Sequence, residues 1–326
     1  MNNKTLWIAL ALAAGIAAPF SGIYPVFLMK AMCFGLFACA FNLLLGYVGL
    51  LSFGHAAFFG FSAYITAHTV KVWGLPPEAG IVLGVLVAVV LGLAFGWLAI
   101  RRQGIYFAMI TLALSQMVFF FCIQAPFTHG EDGIQAVPRG TLLGLFDLSD
   151  MNTMYYFVLA VFVGGVALVY RTVNSPFGQV LKAIRENEPR AISLGYRTDQ
   201  YKLAAFVLSA ALSGLAGSTK SLVFQLASLT DVHWHASGEV VLMTLLGGMG
   251  TIFGPAVGAL VVVGIQDYFA TFGAFVTIIQ GGIFVIVVLL FRRGIVGEML
   301  EFARRRKAAR KTTSEGGKPK LAEQAG

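Results

Sequence analysis

Charged side chains are scarce in this sequence. Only 12% of its 326 residues are Asp, Glu, Lys or Arg, about half the share found in soluble globular domains. Together with 58% hydrophobic residues and a mean hydropathy of +0.80, that scarcity excludes a soluble globular protein and indicates a polytopic membrane protein. Cysteine is scarce too. Cys33, Cys39 and Cys122 all sit in apolar runs, and the first two fall on different sides of a helix, so neither a disulfide framework nor a metal site is expected. The chain has no GxxxxGK(S/T) phosphate loop, hence no ATP site of that type. It also lacks paired carboxylates, metal-spaced histidines or a nucleophile with a base inside its apolar runs, which argues against a membrane-embedded enzyme. His233 and His235 form an H-x-H pair, but the sequence places no third ligand beside them. The net charge of +8 does not point to nucleic acid, because the tail from Arg292 onward supplies ten basic and four acidic residues, +6 of that total. A basic end beside a membrane span reads as topology and lipid-headgroup contact.

What is present is a succession of apolar runs. Those at 6–24, 26–48, 46–65, 79–100, 104–124, 153–171, 203–224, 253–270 and 273–291, with a shorter one inside 239–250, predict an all-α fold of about ten membrane-crossing or re-entrant helices. Residues 1–299 form the transmembrane domain; residues 300–326, basic and poor in apolar side chains, cannot fold alone. Arg101 and Arg102, and the basic stretch 172–202, belong on the cytoplasmic side, whereas the acidic stretch 125–152 belongs outside; both termini are then cytoplasmic. Lys30 and Lys220, near the outer ends of their spans, are expected to snorkel to the headgroups.

Small residues mark the helix contacts. Gly80, Gly84, Ala88, Gly92 and Gly96 form an unbroken i, i+4 stripe, and Ser52, Ala56 and Gly60 a shorter one. His55 falls within the membrane, where an ionisable group is a functional candidate, although a neutral histidine bonded to a neighbouring helix is the simpler reading. Ser237 is expected to cap a helix with Glu239 in its first turn; if that helix dips inward, the Glu239 carboxylate would face an ammonium-bearing substrate. The run before Gly247, Gly248 and Gly250 is too short to span, and irregular backbone at depth is tolerated where it is buried in protein or lines a wet cavity. These glycines, with His55 and Glu239, are the candidates for the pathway wall.

The charged insert 172–202 reads as helix, bend, helix. Ser175 can cap, Pro176 fits the first helical position, and Phe177, Val180, Leu181 and Ile184 recur at helical spacing. Pro189 breaks the helix and starts another, which Gly195 ends. The run EPRAISLG, with Glu188, Ala191 and Gly195, resembles the ATPase-docking loop of ABC-importer permeases, with Pro189 and Arg190 standing where that motif usually has alanines. The wider block RENEPRAISLGYRTDQYKLAAFVLSAALSGLAG, together with GYVGLLSFGHAAFFGFSAYI, RRQGIYFAMITLALSQM and THGEDGI, resembles the branched-chain amino-acid permeases of the larger membrane-subunit type.

That resemblance implies an ABC importer permease fold in the bacterial inner membrane and transport of branched-chain amino acids. It implies a heterodimer with a second, related permease subunit, two cytoplasmic ATPase subunits that bind the ATP, and an outer substrate-binding protein, with no cofactor in this chain. The ATPases would seat against Ile184, Arg185, Glu186, Glu188, Arg190, Ala191 and Gly195, the apolar face entering a cleft and the charges pairing at its rim. Urea and short-amide permeases share these blocks. An ion-coupled secondary transporter would instead need several paired intramembrane acids, for which only Asp267 and Glu239 are candidates.

Overall fold

The computed structural model describes residue 15, residues 24–270, residue 273 and residues 275–290 and 294–298. Apart from residues 15 and 24, the expected span at 6–24 lies outside the described residues, as do the tail at 300–326 and the course of the termini. In chain order the helices are α1 (Pro25–Tyr47), α2 (His55–Lys71), α3 (Pro77–Ala99), α4 (Ile105–Gln124), α5 (Met151–Asn174), α6 (Pro176–Glu186), α7 (Glu188–Ser193), α8 (Thr198–Phe224), α9 (Leu229–Val232), α10 (Trp234–Gly247), α11 (Gly254–Tyr268) and α12 (Phe275–Leu290). Four two-residue strands accompany them: β1 (Ile134–Gln135), β2 (Thr141–Leu142), β3 (Phe146–Asp147) and β4 (Leu226–Ala227). The fold is all-α in its membrane part. Among the described residues α1, α3, α4, α5 and α8 are long and apolar enough to cross a bilayer.

Of these five, α1 and α8 are mostly buried inside the protein, whereas α3, α4 and α5 bury about a third of their span residues. Small residues let α8 reach its neighbours. A Cβ at Gly217 would lie 1.9 Å from the Phe59 carbonyl oxygen of α2, and one at Gly214 would lie 2.4 Å from the Ala88 Cβ of α3. From the α3 side, a Cβ at Gly84 would meet Ser218 Oγ at 2.4 Å and one at Gly92 the Ala210 Cβ at 2.6 Å. The stripe from Gly80 to Gly96 is therefore the buried contact its spacing predicts.

Two of the expected helices are shorter or shifted. The run 46–65 is not one helix: α1 ends at Tyr47, the Leu44 carbonyl accepts from the N–H groups of Val48, Gly49 and Leu50, and Gly49 takes φ +85°. The chain stays irregular until His55 starts α2, with the Phe53 N–H bonded to Thr111 Oγ1 of α4 at 3.2 Å. Ser52 therefore leaves the small-residue face and instead accepts from the Gly54 N–H at 3.1 Å. The second case is α10, which is as short as its run predicts but starts at Trp234, ahead of the expected cap at Ser237. Its 14 residues span about 21 Å, short of the roughly 30 Å hydrocarbon core, and the chain then turns straight into α11.

The stretch 125–152 is more ordered than an acidic loop suggests. β1 pairs antiparallel with β4, bringing Ile134 opposite Ala227, and β2 pairs with β3. Asp150 closes the stretch by capping α5: its carboxylate accepts from the Thr153 N–H and hydroxyl, both at 2.9 Å. Those bonds hold the Asp150 carboxyl below the usual carboxylate range.

Candidate functional site

The insert at 172–202 folds as an arm of two capped helices. Ser175 Oγ accepts from the Gly178 N–H at 3.3 Å, and a Cβ at Gly178 would collide with the Val173 carbonyl oxygen at 2.4 Å, so glycine permits the reversal from α5 into α6. Asn187 Oδ1 accepts from the Arg190 N–H at 3.1 Å and starts α7. At its other end Gly195, φ +90°, closes α7: the Gly195 N–H reaches Ile192 O at 2.9 Å and the Tyr196 N–H reaches Ala191 O at 3.2 Å. This is the paired bonding of a glycine-terminated helix end.

The arm's side chains divide between two directions. Ile184 and Ala191 are buried against the rest of the chain, as is Leu181. The Glu188 carboxylate forms an ion pair with Lys202 and accepts from Gln103 Nε2 at 2.7 Å, tying α7 to the start of α8 and to the α3–α4 turn. The Arg185 guanidinium donates to the Gly46 carbonyl at the end of α1. Glu186 and Arg190 remain exposed. The apolar surface the arm turns outward belongs to Ile192, Leu194 and Tyr196, not to Ile184 and Ala191. Lys202, fully enclosed at 2% exposure, has no pattern in the sequence that links it to Glu188.

The pathway candidates occupy a second region. Ser237 is not the cap of α10: that helix starts three residues earlier, where His233 Nδ1 accepts from the His235 N–H at 3.4 Å. Ser237 Oγ instead accepts from the Ala56 N–H at 2.9 Å and caps α2, so the first turns of the short helices α2 and α10 meet inside the protein. His55, next to this contact, is fully buried with its ring edge-on to Phe41, Phe58 and Phe206. Its Nε2 lies 2.8 Å from Ser209 Oγ, whose proton goes to the Ala40 carbonyl at 2.5 Å. The imidazole is therefore the donor to Ser209, and Nδ1 has no hydrogen-bond partner. Glu239 is half-buried and accepts from Gln266 Nε2 of α11 at 3.1 Å. His233 and His235 stack with ring centroids 5.1 Å apart, and among the described residues no group of three potential metal ligands forms.

The glycines close the α10–α11 hairpin. A Cβ at Gly247 would lie 1.8 Å from the Gly254 carbonyl oxygen, and one at Gly258 would lie 1.8 Å from that of Met243. Gly248 and Gly250 take φ of +113° and +77°. The turn sits beside Gly46 and Arg185, so the glycine cluster and the arm are neighbours, whereas His55 and Glu239 lie at the other end of α10. An apolar crevice lined by Met32, Cys33, Leu36, Val158, Phe162 and Thr219 includes none of the pathway candidates.

Lys220 does not snorkel. Its ammonium contacts both carboxylate oxygens of Asp231, with little of either side chain exposed, because the chain after α8 turns back and α9 brings Asp231 against it. The rings of Phe59 and Phe224 lie 6.0 and 5.7 Å from the same ammonium.

Among the described residues, a bundle of apolar helices, five of them long enough to cross a bilayer, with two shorter helices meeting inside it and an arm of two capped helices, is the architecture of a polytopic membrane protein. The family described as branched-chain amino acid transport system, permease component, matches residues 23–290, and the chain belongs to it. It is 26% identical over 320 residues to the high-affinity branched-chain amino acid transport system permease protein LivM of Salmonella typhimurium, covering 90% of this chain and 75% of that one. The LivM protein of Escherichia coli gives the same identity and coverage. A probable branched-chain amino acid transport permease protein LivH of Methanocaldococcus jannaschii is 22% identical over 228 residues, 64% of this chain and 68% of that one. No solved structure matches.

Proposed function

We propose that this chain is the larger permease subunit of an ATP-driven importer that carries leucine, isoleucine and valine across the bacterial inner membrane. The family match over residues 23–290 carries the reading. Its likeness to both LivM and LivH proteins supports a transporter built from two related permeases. ATP hydrolysis then belongs to two cytoplasmic ATPase subunits seated on the arm, and an outer substrate-binding protein delivers the amino acid. The arm suits docking because caps at Ser175 and Asn187, the glycine end at Gly195 and the Glu188–Lys202 pair make it stiff. It presents Ile192, Leu194 and Tyr196, flanked by Glu186 and Arg190, to whatever seats there.

The test is uptake by the complete transporter in proteoliposomes, with labelled leucine, isoleucine, valine and urea, with and without internal ATP. ATP-dependent uptake of the three amino acids is expected, abolished by Gly195→Pro, which cannot adopt the positive φ, and by Leu194→Glu. Uptake of urea alone, or uptake driven by an ion gradient without ATPase subunits, would refute the assignment.

A further inference from the structure

One polar node joins the arm to both short helices. Asn42 lies in the last two turns of α1, in an apolar run, and is completely buried. Its amide is not bonded to its own helix. Nδ2 donates to the Thr251 carbonyl at 2.7 Å and Oδ1 accepts from the Gly250 N–H at 2.9 Å, so both halves of the side chain hold the turn between α10 and α11. Gly46, one helical turn further along α1, fits beneath this clamp. A Cβ there would strike Asn42 Oδ1 at 2.2 Å and the Gly250 nitrogen at 2.7 Å. The Gly46 carbonyl is the one that Arg185 of α6 holds. A Cβ at Gly250 would lie 3.5 Å from both the Arg185 guanidinium and that carbonyl. The Arg185 stem, in turn, lies 3.1 Å from the Cβ position of Gly49, where α1 ends and the irregular lead into α2 begins.

We propose that Asn42 is a coupling residue: with Arg185 it transmits displacement of the arm to the Gly248–Thr251 turn and so to α10 and α2. This rests on the reading that ATPases dock on the arm. The physical argument has three parts. A buried amide with both of its functions paired to one backbone turn makes α1 and that turn move together, because separating them leaves donor and acceptor unpaired in an apolar interior. The turn is braced as one piece, since Gly248 and Gly250 occupy φ values open to glycine and Thr251 Oγ1 bridges Gly248 O at 2.7 Å and the Gly254 N–H at 3.1 Å within it, so a pull on Gly250 and Thr251 is passed to the ends of α10 and α11. Finally, α10 carries Ser237, the cap of α2, at its far end, so a shift of the turn reaches the place where the two short helices meet.

The experiment uses the complete transporter in nanodiscs and proteoliposomes and compares the wild type with Asn42→Leu, which keeps the approximate volume and removes both bonds. Three quantities are read: co-purification of the ATPase subunits, ATP hydrolysis, and leucine uptake. The expected result is intact co-purification and basal hydrolysis, with leucine uptake per ATP reduced about tenfold, about 1.4 kcal/mol of lost coupling and within the usual range for linked sites. Asn42→Ala removes both bonds with a smaller side chain and is expected to uncouple to a similar degree; it serves as the readout if Asn42→Leu does not assemble. Unchanged uptake per ATP in either assembled variant overturns the proposal, as does a proportional fall of uptake and hydrolysis, which would mark Asn42 as structural. The docking reading is judged separately: if Leu194→Glu retains its ATPase subunits, that reading fails whatever Asn42 does.

Discussion

The Lys220–Asp231 pair offers a direct measure of how the chain after α8 is held. Asp231 is 6% exposed and its carboxylate contacts the Lys220 ammonium through both oxygens; the other polar contact is Ser228 Oγ at 3.4 Å. At 4 Å and an effective dielectric of about 20, two unit charges attract by about 4 kcal/mol, and this pair is closer than that. Lys220→Met leaves the carboxylate buried and almost alone, for which the expected cost is about 3–5 kcal/mol. At about 2 °C per kcal/mol for a chain of this size, the melting midpoint of the purified permease, scanned at one fixed rate, falls by roughly 6–10 °C. Asp231→Leu alone strands the ammonium and is expected to do similar damage. The double variant replaces the pair by apolar side chains and should recover at least half of the loss, because the desolvation cost disappears with the charges. If Lys220→Met melts within about 2 °C of the wild type, or if the double variant is as unstable as the sum of the singles, α9 is not held by this pair and the ammonium reaches water.

Three further substitutions probe the packing and the Asp150 cap. Gly217→Ala must separate α2 from α8, since its Cβ would lie 1.9 Å from the Phe59 carbonyl oxygen; a loss of at least about 1–3 kcal/mol is expected. Gly164→Ala, on α5 with nothing within 4 Å of the added Cβ, should be neutral or gain up to about 1 kcal/mol, and equal melting of the two variants would contradict the close contact. Asp150→Ala should lower the melting midpoint near neutral pH. The Asp150 carboxyl is depressed in the folded protein, so its contribution is present above the unfolded pKa of about 3.9 and vanishes as pH falls through the lower folded value. A difference between wild type and variant that grows on acidification would reverse that sign and reject the cap.

How much of this was legible beforehand depends on how far apart in the chain the interacting groups lie. The arm was legible because its determinants are local: Ser175 with Pro176, Pro189, and Gly195 each act on their near neighbours, and the two helices follow, with the Asn187 cap added by the structure. The Gly80–Gly96 stripe was legible for the same reason, since an i, i+4 repeat lies on one face of one helix. The orientation of the arm was not. Burial of Ile184 and Ala191 and pairing of Glu188 with Lys202 depend on α8 and on the turn carrying Gln103, and no spacing along the chain encodes them. The start of α2 was hidden because hydropathy runs unbroken from Gly46 to Ile65 while the break is made by Gly49 and by Thr111, fifty-eight residues beyond Phe53. The same holds at the candidate pathway, where Ser237 caps a helix 181 residues away instead of its own. Asn42 did leave a signal. An unpaired amide in an apolar span has to find partners within the protein, so a lone asparagine between Phe41 and Leu43 marks a tertiary contact, though the turn it holds, 208 residues on, could come only from the structure. Local rules thus recover the arm, while the long-range polar bonds decide what the arm is attached to.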